Sequence, residues 1–188
     1  MRQGEIQTKT LGTIVEFDAA TQMAKVQLAV TDFCSTYDTN YVNQGESVLV
    51  DVPVEFPRCQ GFSMTFPVKA GDDCIVEFYQ SGIEHWLYEN RRKYNTIGGE
   101  PESQALRRFD RSDASCRVSL GNLETAITGF NTEDFQIRST DGSQHITLKA
   151  DGSIVIAATT VDISASGDMN LTAGGAMKLN ASQIHLNE

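Results

Sequence analysis

Three histidines, four cysteines and twenty-five carboxylates are the side chains that could carry acid–base, nucleophilic or metal chemistry in this chain. Cys34, Cys59, Cys74 and Cys116 contain no C-x-x-C pair, so neither a zinc ribbon nor a redox motif can be read from them, and they are expected to be free thiols, mostly buried. The sequence holds no G-x-S-x-G, H-E-x-x-H, Walker A or G-x-G-x-x-G pattern. A glycosidase pair of carboxylates is not excluded by counting. Yet Asp141, Asp151 and Asp168 stand beside glycines, where turn geometry alone asks for Asp, and a general acid would need an apolar pocket to raise its pKa. No catalytic or cofactor-binding residue is assigned, and the expectation is a protein that is not an enzyme.

The one metal candidate is His185, in Ser182-Gln183-Ile184-His185-Leu186-Asn187-Glu188. Three copies of it could supply three nitrogens at a threefold tip, but alternation turns Ile184 and Leu186 to one face and His185 to the other. His145 reads as an outward residue near a turn. His85 and Trp86 read as barrel wall, with contact to a partner chain as the alternative. In Phe62-Ser63-Met64-Thr65-Phe66 the apolar alternation faces either the barrel core or a partner, and Pro53, Pro57 and Pro67 mark strand ends or edges.

The elements that would position these residues follow from the bulk of the chain. It has 188 residues, 40% hydrophobic and 21% charged, enough for a packed core. A net charge of -10 argues against nucleic acid or an anionic membrane surface as a generic partner, since phosphate binding relies on clustered Lys and Arg. Arg91-Arg92-Lys93 and Arg107-Arg108 read as solvated faces. No stretch approaches the roughly 18 to 20 apolar residues of a membrane-spanning helix, and MRQGEIQTKT lacks the apolar middle of a secretion signal, so assembly in a cytoplasm is expected.

From Leu11 to Tyr88, short alternating runs predict five strands: Gly12 to Phe17, Ala24 to Val30, Ser47 to Val52, Cys74 to Tyr79 and His85 to Tyr88. Five strands without a convincing helix suit a small closed barrel of the OB-fold kind over residues 1–95. Residues 96–134 read as a connector, with a turn at Gly98-Gly99-Glu100-Pro101 and a charged stretch from Arg107 to Ala114 that resists assignment.

Aromatic residues end at Phe135, and none occurs in the final 53 residues. There, apolar pairs recur at Phe135/Ile137, Ile146/Leu148, Ile154/Ile156, Val161/Ile163, Met169/Leu171, Met177/Leu179 and Ile184/Leu186, with steps of 8, 7, 8, 8 and 7 residues from Ile146 onward. Asp141-Gly142, Asp151-Gly152, Gly167-Asp168 and Gly174-Gly175 supply turns between them. Coiled alone as a three-strand solenoid, this segment would rise only about 10 Å at roughly 4.8 Å per strand spacing, short of the repeats a solenoid needs. Wound as three chains about one axis, it builds a column of about 30–35 Å in which every strand pairs with the other chains. A narrow three-sided core also has room for Ile, Val, Leu and Met but little for rings. The expectation for 135–188 is a homotrimeric, intertwined β-helix with Ile146, Leu148, Ile154, Ile156, Val161, Ile163, Met169, Leu171, Met177, Leu179, Ile184 and Leu186 in its core.

A small barrel followed by an intertwined column resembles the central spikes of contractile phage tails, closest to the group typified by the phage phi92 membrane-piercing spike. The stretches that carry the resemblance are Gly12 to Asp18, Val52-Pro53-Val54-Glu55-Phe56-Pro57, Gly61 to Val68 with Gly71-Asp72, and Arg108-Phe109-Asp110-Arg111-Ser112-Asp113-Ala114, which with the repeat cover most of the chain. The resemblance implies a virion protein of the tail baseplate: barrels forming a trimeric collar on the hub and tail tube, and a column driven by the sheath through the host outer membrane. A separate tip-capping protein is a further partner it allows. Some spikes of this kind hold a tip metal with a His-x-His pair from each chain, from which this chain departs because position 183 is Gln. A baseplate adaptor or binding module is the alternative, and a tail-associated polysaccharide hydrolase a more distant one, since its concave face would need sugar-stacking aromatics.

Overall fold

Alternation produces strands where it is cleanest. In the computed structural model, which describes residues 8–29, 48–88, 96–97, 100–101 and 107–185, β1 (Lys9–Asp18) pairs antiparallel with β2 (Met23–Leu28), and β2 with β3 (Val48–Pro53). A short hairpin of β4 (Arg58–Cys59) and β5 (Phe62–Ser63) follows, and β6 (Asp73–Phe78) then returns to the free edge of β1. The inward residues of β2 and β6, Ala24, Val26, Leu28, Cys74, Val76 and Phe78, alternate with exposed or half-buried ones and enter the core with Ile14 and Val52. These four strands match the runs expected from the sequence. Pro53 closes β3.

The fifth strand does not. The His85 to Tyr88 run, expected as a strand, is instead the short helix α1 (Glu84–Tyr88). Its first turn is set by Trp86 N–H and Leu87 N–H donating to Ile83 O at 2.9 and 3.0 Å, with Ile83 N–H donating to the Asp113 carboxylate at 3.0 Å. Four residues carry too little alternation to outweigh that local bonding. β7 (Thr96–Ile97) and β8 (Glu100–Pro101) pair on either side of Gly98-Gly99, which lie outside the described residues, as do Cys34 and Arg91 to Lys93. The fifth barrel strand is β9 (Ala114–Val118), inside the segment expected as a connector.

The sheet order is β3-β2-β1-β6-β9, and a parallel bridge between Val54 and Cys116, with Glu55 N–H donating to Cys116 O at 2.8 Å, brings its two edges together. This all-β arrangement is consistent with an OB-like barrel. Two irregularities curl it: Val15 is an extra residue against β2, and β3 carries an extra residue where Asp51 adopts φ 54°. Such bulges bend a strand and raise its twist, as closure requires. Gly12 lets β1 and β2 approach closely, because a Cβ there would lie 2.7 Å from Val26 Cγ1 and 2.9 Å from Gln27 O.

The chain divides into two units, Met1–Ala126 and Ile127–Glu188. The boundary falls inside the expected connector, most of whose described residues belong to the first unit. In the second, β10 (Phe135–Arg138), β11 (His145–Leu148) and β12 (Ile154–Ala157) form an antiparallel three-stranded sheet within the one chain. The expectation that every repeat strand pairs with other chains is corrected for β11, which is flanked on both sides within the chain, while β10 and β12 each keep one edge free among the described residues. From 158 to 185 the chain forms no strand ladder with itself.

Candidate functional site

Two surfaces stand out, one in each unit. In the second unit, the registers Phe135↔Leu148↔Ile154 and Ile137↔Ile146↔Ile156 set six apolar side chains on one face of the sheet. All six are exposed, while the opposite face, with Gln136, Thr147 and Val155, is the covered one. There Gln136 Nε2 donates to Thr147 Oγ1 at 2.9 Å. The pattern continues without a ladder: Val161, Ile163, Met169, Leu171, Met177, Leu179 and Ile184 join Ile146, Leu148, Ile154 and Ile156 at exposures between 42% and 71%. Leu186 lies outside the described residues. Covering such half-exposed aliphatic side chains would contribute roughly 1 kcal/mol each.

Local bonding keeps this sheet in register. Asp141-Gly142-Ser143 and Asp151-Gly152-Ser153 build the same turn twice. In each, the Asp Oδ1 accepts the backbone N–H of the Ser two residues on, at 3.0 and 2.8 Å, and the following Gly takes φ 75° or 86°. The hydroxyls of Ser139 and Ser143 and the Ser143 N–H hold the Asp141 carboxyl down to about 2, and the Ser153 hydroxyl and N–H also push the Asp151 carboxyl below its ordinary value. Carboxyls shifted downward stay ionised at neutral pH, the opposite of what a glycosidase general acid needs. Arg138 reaches back to donate to Gly129 O at 2.6 Å and Thr128 O at 2.9 Å, and a Cβ at Gly142 would lie 2.5 Å from its Nη2.

His145 ends the Arg138↔His145↔Ala157 row, off the apolar face, with Nδ1 3.2 Å from Gly142 O. His185 is exposed beside Ile184. Among the described residues of one chain, no group of three or more His, Cys, Asp or Glu side chains could hold a metal ion. His185 alone, with Gln at 183, supplies one imidazole per chain to the tip and does not fit a six-nitrogen site.

In the first unit, an open groove of about 1400 Å³ runs between the β4–β5 hairpin and α1. Its aromatic side is a chain of edge contacts, Phe17 to Phe56 at 6.4 Å and Phe56 to Phe66 at 5.4 Å between ring centroids. Trp86 and Leu87 of α1 stand on the other side. Trp86 is 47% exposed and lies outside the core cluster, so it borders the groove and is not barrel wall. A polar cluster sits in the lining. Ser115 Oγ donates to Glu55 Oε1 at 2.5 Å, and Tyr79 Oη lies 3.0 Å from Ser115 Oγ and 3.3 Å from Glu55 Oε1. Burial pushes the Tyr79 phenol up, so it stays a neutral donor.

α1 is braced from behind. Asp113, 1% exposed, accepts Ile83 N–H and the Arg107 guanidinium at 3.1 and 3.2 Å, and Arg107 also pairs with Glu84. Those two carboxylates, Asp113 first, push the Arg107 pKa up. The hydrogen bond with Cys74 and burial push the Cys116 thiol up, keeping it protonated in the core; Cys59 is exposed, and all three are free. Sequence reasoning found the apolar pairs and the Asp-Gly turns. It missed the groove, whose Glu55 and Ser115 are 60 residues apart, and the Arg107–Asp113 brace inside an unassigned stretch.

No helix among the described residues is long and apolar enough to cross a membrane. A family described as Phage protein Gp138 N-terminal domain matches residues 11–119, more than half of the chain and nearly all of the described barrel unit. No curated protein matches.

Proposed function

We propose, for a chain that belongs to the phage protein Gp138 N-terminal domain family, that it is a non-enzymatic structural spike of a contractile tail baseplate. Three copies join through their C-terminal units, the barrels seat on the hub and tail tube of the virion, and the shaft pierces the host outer membrane when the sheath contracts. One observation carries this reading: the second unit leaves a long series of aliphatic side chains exposed and, from 158 to 185, leaves its backbone without strand partners in its own chain. Exposed apolar area on this scale marks an interaction surface, and unpaired extended backbone asks for another strand. A second copy of the same repeat offers both at the same spacing.

The task fits that construction. In a shaft whose lower strands pair between chains, no strand peels away without disturbing its neighbours, so unfolding under load is slow. The work comes from the sheath, and this chain supplies shape and resistance. Host membrane contact is transient, and nucleic acid is not a partner of so acidic a chain. Neither a tip metal nor a separate tip protein is needed by this reading.

The deciding experiment is the native molar mass by light scattering after size exclusion, at micromolar concentration and again after hundredfold dilution. The expected mass is three times the 20.6 kDa of the chain at both concentrations. A folded single-chain species would overturn the spike and favour a baseplate adaptor that uses the groove of the first unit.

A further inference from the structure

The β4–β5 hairpin is a thin wall with two different faces. Ser63 and Thr65 line the groove of their own barrel, whereas Phe62 and Met64, which alternate with them, do not. Phe62 is 81% exposed and Met64 57%, and Phe62 is the most exposed aromatic side chain among the described residues. The Met64 N–H donates to Pro57 O at 2.8 Å, so the hairpin is held in shape while these two side chains stay uncovered. Each barrel thus carries an apolar knob and an apolar hole on opposite sides of one wall.

We propose that the hole of each barrel receives the knob of a second copy of this chain, with Phe62 and Met64 entering the groove between Phe56, Phe66 and Trp86 of the next copy. This rests on the trimer proposed above. A surface whose complement lies on a different part of the same molecule makes head-to-tail contacts, which close into a ring when the rotation permits, and a threefold shaft supplies that rotation. Area selects the occupant. A buried aromatic covers about 150–250 Å², so this knob falls far short of the roughly 1,200–2,000 Å² of a free-standing specific interface. A contact so small forms between partners already tethered, where effective concentrations are of millimolar order. The copies of the chain, joined through their second units, are such partners. A freely diffusing protein is not.

The test uses the full chain with p-benzoylphenylalanine in place of Phe62, an exposed position where the larger aromatic leaves the barrel core untouched. After native mass is measured, the sample is irradiated and run under denaturing conditions. The expected result is a shift of labelled chain to bands of two and three chain masses, with the attached peptide mapping to the groove, at Phe56, Phe66, Trp86 or Leu87. A native mass of three chains combined with label that reacts only within its own chain, or not at all, overturns the knob-in-groove contact and leaves the trimer standing. A native mass of one chain overturns both. As a second readout, Phe62→Ser should abolish any chain-to-chain link from the same label placed at Met64 while the native mass stays at three chains. Persistence of that link at full yield would also overturn the proposal.

Discussion

The two units are built from the same material and solve opposite problems. Both alternate apolar and polar residues along short strands. In the barrel unit Ile14, Val26, Cys74 and Val76 sink to 1% exposure or less because bulges curl five strands until their inner faces meet. In the second unit the sheet has only three short strands, and its apolar face remains uncovered. Closure by one chain takes enough strands to wrap around a core. A sheet of three short strands does not have them, and in the proposed trimer its core is completed by further copies of the chain. The difference teaches that alternation alone specifies an apolar face and leaves open which body covers it.

The largest effect should come from a charge in the exposed apolar series of the second unit. Ile163→Asp would bury three carboxylates in a shared core, at a cost of at least about 4 kcal/mol, and the expected outcome is a fall from three chain masses to one with the barrel still folded. If that variant keeps its mass, the face is not an interface and the contrast between the units collapses. Next comes a cavity in the closed unit: Ile14→Ala, at a side chain 1% exposed, should lower barrel stability by about 2–5 kcal/mol in urea unfolding and leave association unchanged. Loss of association there would show that the units do not act separately.

A smaller effect is expected at the brace. Asp113→Ala removes the acceptor for Ile83 N–H and Arg107, which should cost about 2–3 kcal/mol. The groove should loosen with it, read as faster hydrogen exchange at Trp86 and Leu87; unchanged exchange would mean α1 is held by its packing alone. The smallest effect belongs to the turns. Because the Asp141 carboxyl is held near 2 against an ordinary 3.8, its contribution is complete above the ordinary value and is lost as pH falls through about 2. Unfolding of the second unit between pH 5 and pH 2 should therefore be more pH-sensitive in the parent than in Asp141→Asn. Parallel curves would remove this turn from the account.

Four barrel strands were legible because their apolar residues alternate over six or more positions. β9 was not, since Ala114, Ser115 and Cys116 are all buried, with Ser115 turned to Glu55 and Tyr79 and so breaking the two-residue period. α1 was misread as a strand because its identity rests on a buried carboxylate nearly thirty residues away. The Asp-Gly turns and the apolar pairs of the second unit were plain in the sequence, as turn chemistry and spacing are local. The pairing of β10 to β12 within one chain was not, because an apolar-x-apolar run looks the same whichever strand lies beside it. The groove was invisible for a related reason: its walls come from segments that meet only after the barrel closes.

Between 158 and 185 the only side chains charged at neutral pH are Asp162, Asp168 and Lys178, and the remaining polar positions are hydroxyls, amides and the His185 imidazole. Salt acts on proteins largely by screening charges, over about 10 Å at 0.1 M, and here it finds little to screen. If this segment forms the proposed shaft, charge screening by salt should change its strength little between rainwater and dilute brine.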